Sequence, residues 1–247
     1  MFAQRQPIQL KRRGVQLPRR RSGLRATLFD GLVSWWPLGE ATGNPRIDTY
    51  GPNDLTPVND PENAGGLIGD GVHCTIVDSE HLSSDSDDFA GGNVSFTLAG
   101  VWLADANVAN QSIFGTSDAK LWLRLSGAPG TTATLRLNDG SDIETAASCL
   151  AAGSINTFFA GYDAATQLQY LQINNGAIQT TANTVGFALN AARTFYLGAH
   201  TGPGFFYGGL LDEFGLWIGR FLGGGERTWI HNAGAWRTLS DFGSYLV

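Results

Sequence analysis

Val94-Ser95-Phe96-Thr97-Leu98-Ala99-Gly100-Val101-Trp102-Leu103 sets Val94, Phe96, Leu98 and Trp102 against Ser95, Thr97 and Ala99. That is the period of two of a strand with one face in a core, whereas helical apolar positions recur every three or four residues. Shorter runs repeat the theme. Leu32-Val33-Ser34-Trp35-Trp36-Pro37-Leu38 reads as a first strand, stopped by Pro37 and Gly39. Ile113 to Leu125 gives two more, and Phe158 to Tyr162, Thr194 to Gly198 and Leu210 to Ile218 supply others. Leu135-Arg136-Leu137 runs into Asn138-Asp139-Gly140, and Leu171-Gln172-Ile173 into Asn174-Asn175-Gly176. Asp-Gly and Asn-Gly after apolar alternation are hairpin signals that pin the local register. Between Thr42 and Gly71 the breakers Pro45, Pro52, Pro57 and Pro61 predict loops with short edge strands, and Gly225 to Asn232 is the one helical turn expected. Short strands at regular spacing with almost no helix define an all-β fold, a two-sheet antiparallel jelly-roll sandwich.

A length of 247 residues suits one large β domain. Hydrophobic residues make up 43% and charged ones 15%, which excludes a disordered chain, and 33 glycines suit many tight turns. The net charge of −6 hides an asymmetry. Arg5, Lys11, Arg12, Arg13, Arg19, Arg20, Arg21 and Arg25 are eight of the 16 basic residues, and no acidic residue lies among them. The rest sets eight basic residues against 22 acidic ones, near −14. Residues 1–27 therefore read as a basic extended arm and 28–247 as the jelly-roll domain. No apolar run approaches the length of a membrane span, and no signal-peptide core follows the basic segment, so cytosolic synthesis without classical export is expected. Cys74 and Cys149 are expected as small buried thiols rather than a disulfide.

The order of motifs resembles the laminin-G-like, concanavalin A-like lectin and glucanase superfamily, as found in virion proteins of tailed phages. The resemblance spans roughly residues 30 to 237. It is carried by Leu32 to Leu38, by Asp48 to Thr56 (DTYGPNDLT), by Ser79 to Ser83 ahead of Ser95 to Trp102, by Leu211-Asp212-Glu213-Phe214-Gly215-Leu216-Trp217, and by Glu226 to Gly234 (ERTWIHNAG). The family pattern implies two packed sheets with the first strand beside the Leu210 to Ile218 strand, so that the ends of the domain meet. It also implies a loop Ca2+ as the one cofactor to look for, at Asp48, Asn53 and Asp54. Enzymes of this architecture commonly carry Glu-x-Asp-x-x-Glu on one strand, because acid and nucleophile must flank the scissile bond. None of the six glutamates here has Asp two positions later, and adjacent Asp212-Glu213 should point to opposite faces, so no catalytic residues are expected.

The histidines His73, His81, His200 and His231 show no zinc spacing. Asp85-Ser86-Asp87-Asp88 opens like a calcium loop but lacks its Gly and closing Glu. Sugar sites need aromatic faces beside polar groups, and the candidates are Trp122, His200, Phe205, Phe206, Tyr207 and Trp236. Trp35, Trp36, Trp102, Trp217 and Trp229 are expected in the core.

The resulting expectation is a non-enzymatic virion component, a capsid or tail decoration or accessory protein. The arm would anchor it to other virion proteins, and its jelly roll would face outward with surface glycans as ligands. A lattice component implies a homo-oligomer and a virion location after synthesis in the host cytoplasm. Two alternatives stand beside it. One is a free carbohydrate-binding or adhesion lectin, and the other is nucleic-acid binding through the arm. The second is disfavoured by an arm whose only aromatic is Phe2 and by an acidic body. No membrane partner is expected.

Overall fold

Fifteen strands and one short helix make up the described part of the chain. A computed structural model describes residues 28–85, 93–106, 108–126, 132–138, 142–145, 153–184, 193–201 and 205–244. The arm 1–27, Cys149, Asp139-Gly140, the acidic turn beyond Asp85 and Gly202-Pro203-Gly204 lie outside the described residues. In chain order the strands are β1 (Leu32–Trp36), β2 (Thr56–Val58), β3 (Glu62–Gly65), β4 (Asp70–Cys74), β5 (His81–Ser84), β6 (Phe96–Ala104), β7 (Ser112–Thr116) and β8 (Leu121–Ser126). They continue as β9 (Thr132–Leu137), β10 (Ile143–Glu144), β11 (Asn156–Asp163), β12 (Leu168–Ile173), β13 (Gln179–Ala182), β14 (Phe195–Leu197) and β15 (Gly209–Ile218), before helix α1 (Gly224–His231).

Two antiparallel sheets result. The eight-stranded sheet runs β13-β12-β11-β6-β15-β4-β3, and the seven-stranded sheet runs β10-β9-β8-β7-β14-β5-β2. β15 pairs with β6 along one edge, while its other edge is shared end to end by β4 at residues 209–211 and β1 at residues 214–217. The pairing of β1 with β15 is the one the sequence resemblance implied. The proline-rich stretch supplies β2 and β3, an edge strand on each sheet. Arg46, fully buried, holds that stretch together by donating to the carbonyls of Glu40, Ala41 and Pro61.

The alternation of β6 sorts its side chains into two cores. Phe96, Leu98 and Trp102 face the other sheet and pack with Phe114, Leu123, Leu135 and Phe195, while Ala99 and Val101 face outward into a second apolar cluster. Trp36 and Trp35 divide in the same way. The second cluster forms where the C-terminal segment folds back over the eight-stranded sheet and lays Leu222, Ile230, Trp236 and Phe242 on Trp35, Phe159 and Trp217. Helix α1 starts where Glu226 Oε2 accepts from the Gly223 N–H at 2.7 Å and stops at Asn232, which caps it in the left-handed region with φ 47°. The ends of the domain meet here. Trp217 Nε1 donates to the Leu28 carbonyl at 2.7 Å, and the rings of Phe29 and Phe242 lie 6.0 Å apart.

The hairpin predicted at Asn174-Asn175-Gly176 joins β12 to β13, with φ 50° and 55° at the two asparagines, as a tight hairpin turn of matching twist requires. Cys74 is a buried thiol of the main core, and burial pushes its pKa up.

Candidate functional site

The outer face of the eight-stranded sheet is covered by the C-terminal segment, which leaves the outer face of the seven-stranded sheet as the place for a ligand. Alternation decides what stands there. In β8 (LWLRLS) Leu121, Leu123 and Leu125 enter the main core, so Trp122, Arg124 and Ser126 face outward. In β9 (TATLRL) Leu135 and Leu137 enter, so Thr134 and Arg136 face outward. Trp122 and Arg136 are direct cross-strand partners, and Arg124 lies opposite Thr134.

These side chains form a cation–aromatic cluster. The Arg124 guanidinium lies 4.3 Å and that of Arg136 4.9 Å from the Trp122 ring centre. The His200 ring is 5.7 Å from Trp122 and 4.4 Å from Phe205, whose ring lies 5.6 Å from the Arg124 guanidinium. Gly115 makes the approach possible, because a Cβ there would meet His200 Cβ at 2.2 Å. Ser112 fixes the loop twice. Its hydroxyl pairs with His200 Nδ1 at 2.7 Å, and its N–H donates to the Phe205 carbonyl at 3.2 Å. Asp142 holds Arg136 in a two-pronged pair at 2.6 and 2.7 Å. Burial, with added repulsion from Arg124 and Arg136, lowers the His200 pKa to about 4, so the imidazole is neutral at physiological pH.

Of the sequence candidates, Trp122, His200 and Phe205 come together in this cluster. Trp122 and His200 are only 2% and 4% exposed, because guanidinium and aromatic groups cover them, so the face they share is cationic as well as aromatic. Phe206 stands over β5, 5.7 Å from His81. Tyr207 and Trp236 do not join and cannot touch a surface ligand. Tyr207 turns inward into the main core, and Trp236 stacks on Phe159 at 5.5 Å beneath the C-terminal segment. The arm residues Arg5, Lys11, Arg12, Arg13, Arg19, Arg20, Arg21 and Arg25 lie outside the described residues. Arg124 and Arg136 were missed as site residues, although the alternation of LWLRLS and TATLRL placed them beside Trp122.

Asp48, Asn53 and Asp54 do come together, but as an anchor of the chain. Asp48 Oδ1 accepts from the N–H groups of Trp35, Tyr50 and Gly51, and its Oδ2 accepts from Asn53. Asp54 Oδ1 accepts from the Asp48 N–H, and the Asn53 side chain donates to Ser34 Oγ at 2.7 Å. A carboxylate ringed by four N–H donors is already compensated, and a cation there would sit against those donors. These residues as arranged do not fit a calcium site. Among the described residues no group of three or more His, Cys, Asp or Glu side chains is placed to hold a metal.

The expectation that Asp212 and Glu213 point to opposite faces is corrected. A bulge in β15 between Asp212 and Gly215 puts Glu213 at φ 50° and suspends the alternation. Both carboxyls then reach partners of the same outer cluster. Asp212 Oδ2 accepts from the N–H groups of Leu67 and Ile68, and Glu213 Oε2 accepts from Trp35 Nε1 at 2.7 Å. Burial raises Asp212 to about 6 and Glu213, further repelled by Asp212, to about 8. At 0% and 3% exposure neither carboxyl can meet a substrate.

No protein-family model and no curated protein matches the sequence. Solved structures do resemble it. Domain 4 of AbnA, a GH43 extracellular arabinanase from Geobacillus stearothermophilus, in complex with arabinotriose, superposes with a TM-score of 0.61 at 13% identity, covering 83% of this chain and 98% of that one. The binding domain of botulinum neurotoxin DC in complex with rat synaptotagmin II gives 0.62 at 10% identity, over 82% of this chain and 51% of that chain. Trypanosoma rangeli sialidase gives 0.58 at 15% identity, with 83% of this chain covered but only 33% of the sialidase. These likenesses agree with the two-sheet β-sandwich fold. No described helix is long and apolar enough to cross a membrane.

Proposed function

We propose that this chain is a non-enzymatic recognition protein whose sandwich binds carbohydrate on the outer face of the seven-stranded sheet. One observation carries the reading. That face presents Phe205, Arg124 and Arg136, partly exposed, over the covered rings of Trp122 and His200, on a fold similar to a domain held in complex with arabinotriose. Aromatic rings and directional donors are the groups by which proteins hold sugars. The carboxylates on this face support recognition over catalysis, since Asp142 is held by Arg136 and Glu144 accepts from Thr132. The arm then serves as the attachment, joining the domain to other proteins of a larger assembly. The phage resemblance makes that assembly a virion, with the domain as a decoration or accessory protein.

The test is a glycan panel read against the intact chain, Gly115→Val and Tyr50→Ala. A side chain at Gly115 drives into His200 and should abolish binding, whereas Tyr50, on the other face of the molecule beside Phe29, should leave it unchanged. Glycan binding that survives Gly115→Val in a folded protein, or no binding by the intact chain, rejects this face as the site.

A further inference from the structure

Seven arginines belong to the described domain, and six have clear acceptors. Arg46 donates to carbonyls, Arg136 pairs with Asp142, Arg193 with Asp118 and Arg220 with Glu226, Arg227 donates to Gln172, and Arg237 donates to the Trp229 carbonyl. Arg124 is the exception among the described residues. Its guanidinium lies between Trp122 and Phe205, and its Nε is buried without a hydrogen-bond partner. Part of the side chain remains open to solvent.

A guanidinium carries five N–H donors, and the terminal ones of this partly exposed side chain have no protein acceptor, which leaves them to hold an anion in a charge-assisted pair. Stacking between two rings has already ordered the long side chain, so little further entropy is lost when a ligand arrives. The surrounding charge points the same way. Asp142 compensates Arg136, His200 is neutral, and Glu144 faces outward from β10, opposite Thr134, which is itself opposite Arg124. Two strand spacings separate Glu144 from Arg124, about 10 Å, which is close to the screening length at moderate salt. Asp142 attracts Arg124 as well, against repulsion from Arg136, but its hydrogen bonds go to Arg136, so among the described residues Arg124 is the cation of this face with no hydrogen-bonded acceptor.

We infer that the ligand of this face carries an anionic group, the carboxylate or sulfate of an acidic sugar, and that Arg124 is the residue that binds it. The inference rests on the proposed glycan-binding function and adds the substrate class. The rest of the domain is strongly acidic, so its overall field repels anions and capture must come from local hydrogen bonds. That distinguishes the site from the basic arm, which attracts any polyanion through its field.

The experiment titrates the full chain with short oligogalacturonates, their methyl esters, neutral galacto-oligosaccharides and sulfated galacto-oligosaccharides of the same length. Arg124→Gln and Arg124→Lys are titrated alongside, with thermal unfolding checked for each. Expected is a preference of about tenfold or more for a charged ligand over its neutral counterpart, the step worth one charge-assisted contact. Arg124→Gln should abolish the preference, so that charged and neutral ligands bind this variant alike. Arg124→Lys, which keeps the charge but loses the fork, should recover only part of the preference. Equal binding of charged and neutral ligands overturns the acidic-sugar inference and leaves the glycan function standing. Charged binding that Arg124→Gln does not touch assigns the anion to the arm and overturns it equally. If no oligosaccharide of any class binds, the glycan function falls, and this inference with it.

Discussion

Glu213 sits where two strands end against β15, in a bulge that turns its carboxyl toward Trp35 instead of across the sheet. Burial disfavours its charge most, Asp212 on the same strand and Asp241 from the C-terminal turn repel it further, and the Trp35 N–H is the favourable contact it keeps. Its pKa rises from an ordinary 4.5 to about 8 on folding, so the folded chain binds the proton more tightly than the unfolded one. The linkage has a definite sign. Stability from this group is complete below the unfolded value and declines as pH rises through the window up to about 8, and Asp212, raised to about 6, adds to the lower part. Thermal unfolding should therefore begin at a lower temperature at pH 8–9 than at pH 5–6. Glu213→Gln keeps the shape and the acceptor for Trp35 but never ionises. It should raise the melting temperature at pH 8.5 by something on the order of 5 °C while changing little at pH 5. Parallel melting curves for the two proteins across this range would remove Glu213 from the account.

At the level of elements, the β8–β9 pair and β15 differ in how far their sequence shows their structure. In β8 and β9 the alternation of Leu with Trp122, Arg124 and Arg136 is uninterrupted, so their outward face could be read from sequence, with only the loop that closes over it unseen. That loop turns Phe205 outward and Tyr207 inward within three residues, a reversal set by the adjacent anchors Gln111 and Ser112 at the start of β7, far off in sequence. In β15 the bulge has no sequence mark, because nothing in Leu211-Asp212-Glu213-Phe214 requires a residue to be left unpaired. The arginine pair was missed for another reason: sugar candidates were sought among aromatic side chains, and Arg124 and Arg136 were left as strand residues. The C-terminal segment makes an element-scale prediction. Phe242, fully buried, packs its ring 4.9 Å from Trp35 and 6.0 Å from Trp217, so Phe242→Ala leaves a hole in the outer cluster. The expected loss is roughly 3–5 kcal/mol in urea unfolding. Glycan binding by the folded fraction should stay unchanged, since the main core separates the two outer faces. A variant that lost affinity without losing stability would place the binding face on the wrong sheet.

The whole molecule joins two objects of opposite charge. The arm carries eight positive charges and no negative ones, and the domain behind it is near −14. Leu28 is packed beneath the C-terminal segment, which places the start of the domain on the face away from the seven-stranded sheet. An attachment through the arm would therefore leave the glycan face turned toward solvent. Arginine-rich segments bind acidic surfaces through many weak pairs, each screened by salt, so an anchoring arm must show strong ionic-strength dependence. The measurement is co-sedimentation of the full chain and of a 28–247 chain with large particles from the source, at low salt and near 1 M. The full chain alone should sediment, and high salt should release it, because the screening length falls to about 3 Å there. Release by salt of both chains alike would place the contact on the domain instead. Sedimentation of neither would reject attachment through the arm and leave the proposed glycan binding by the domain to stand alone.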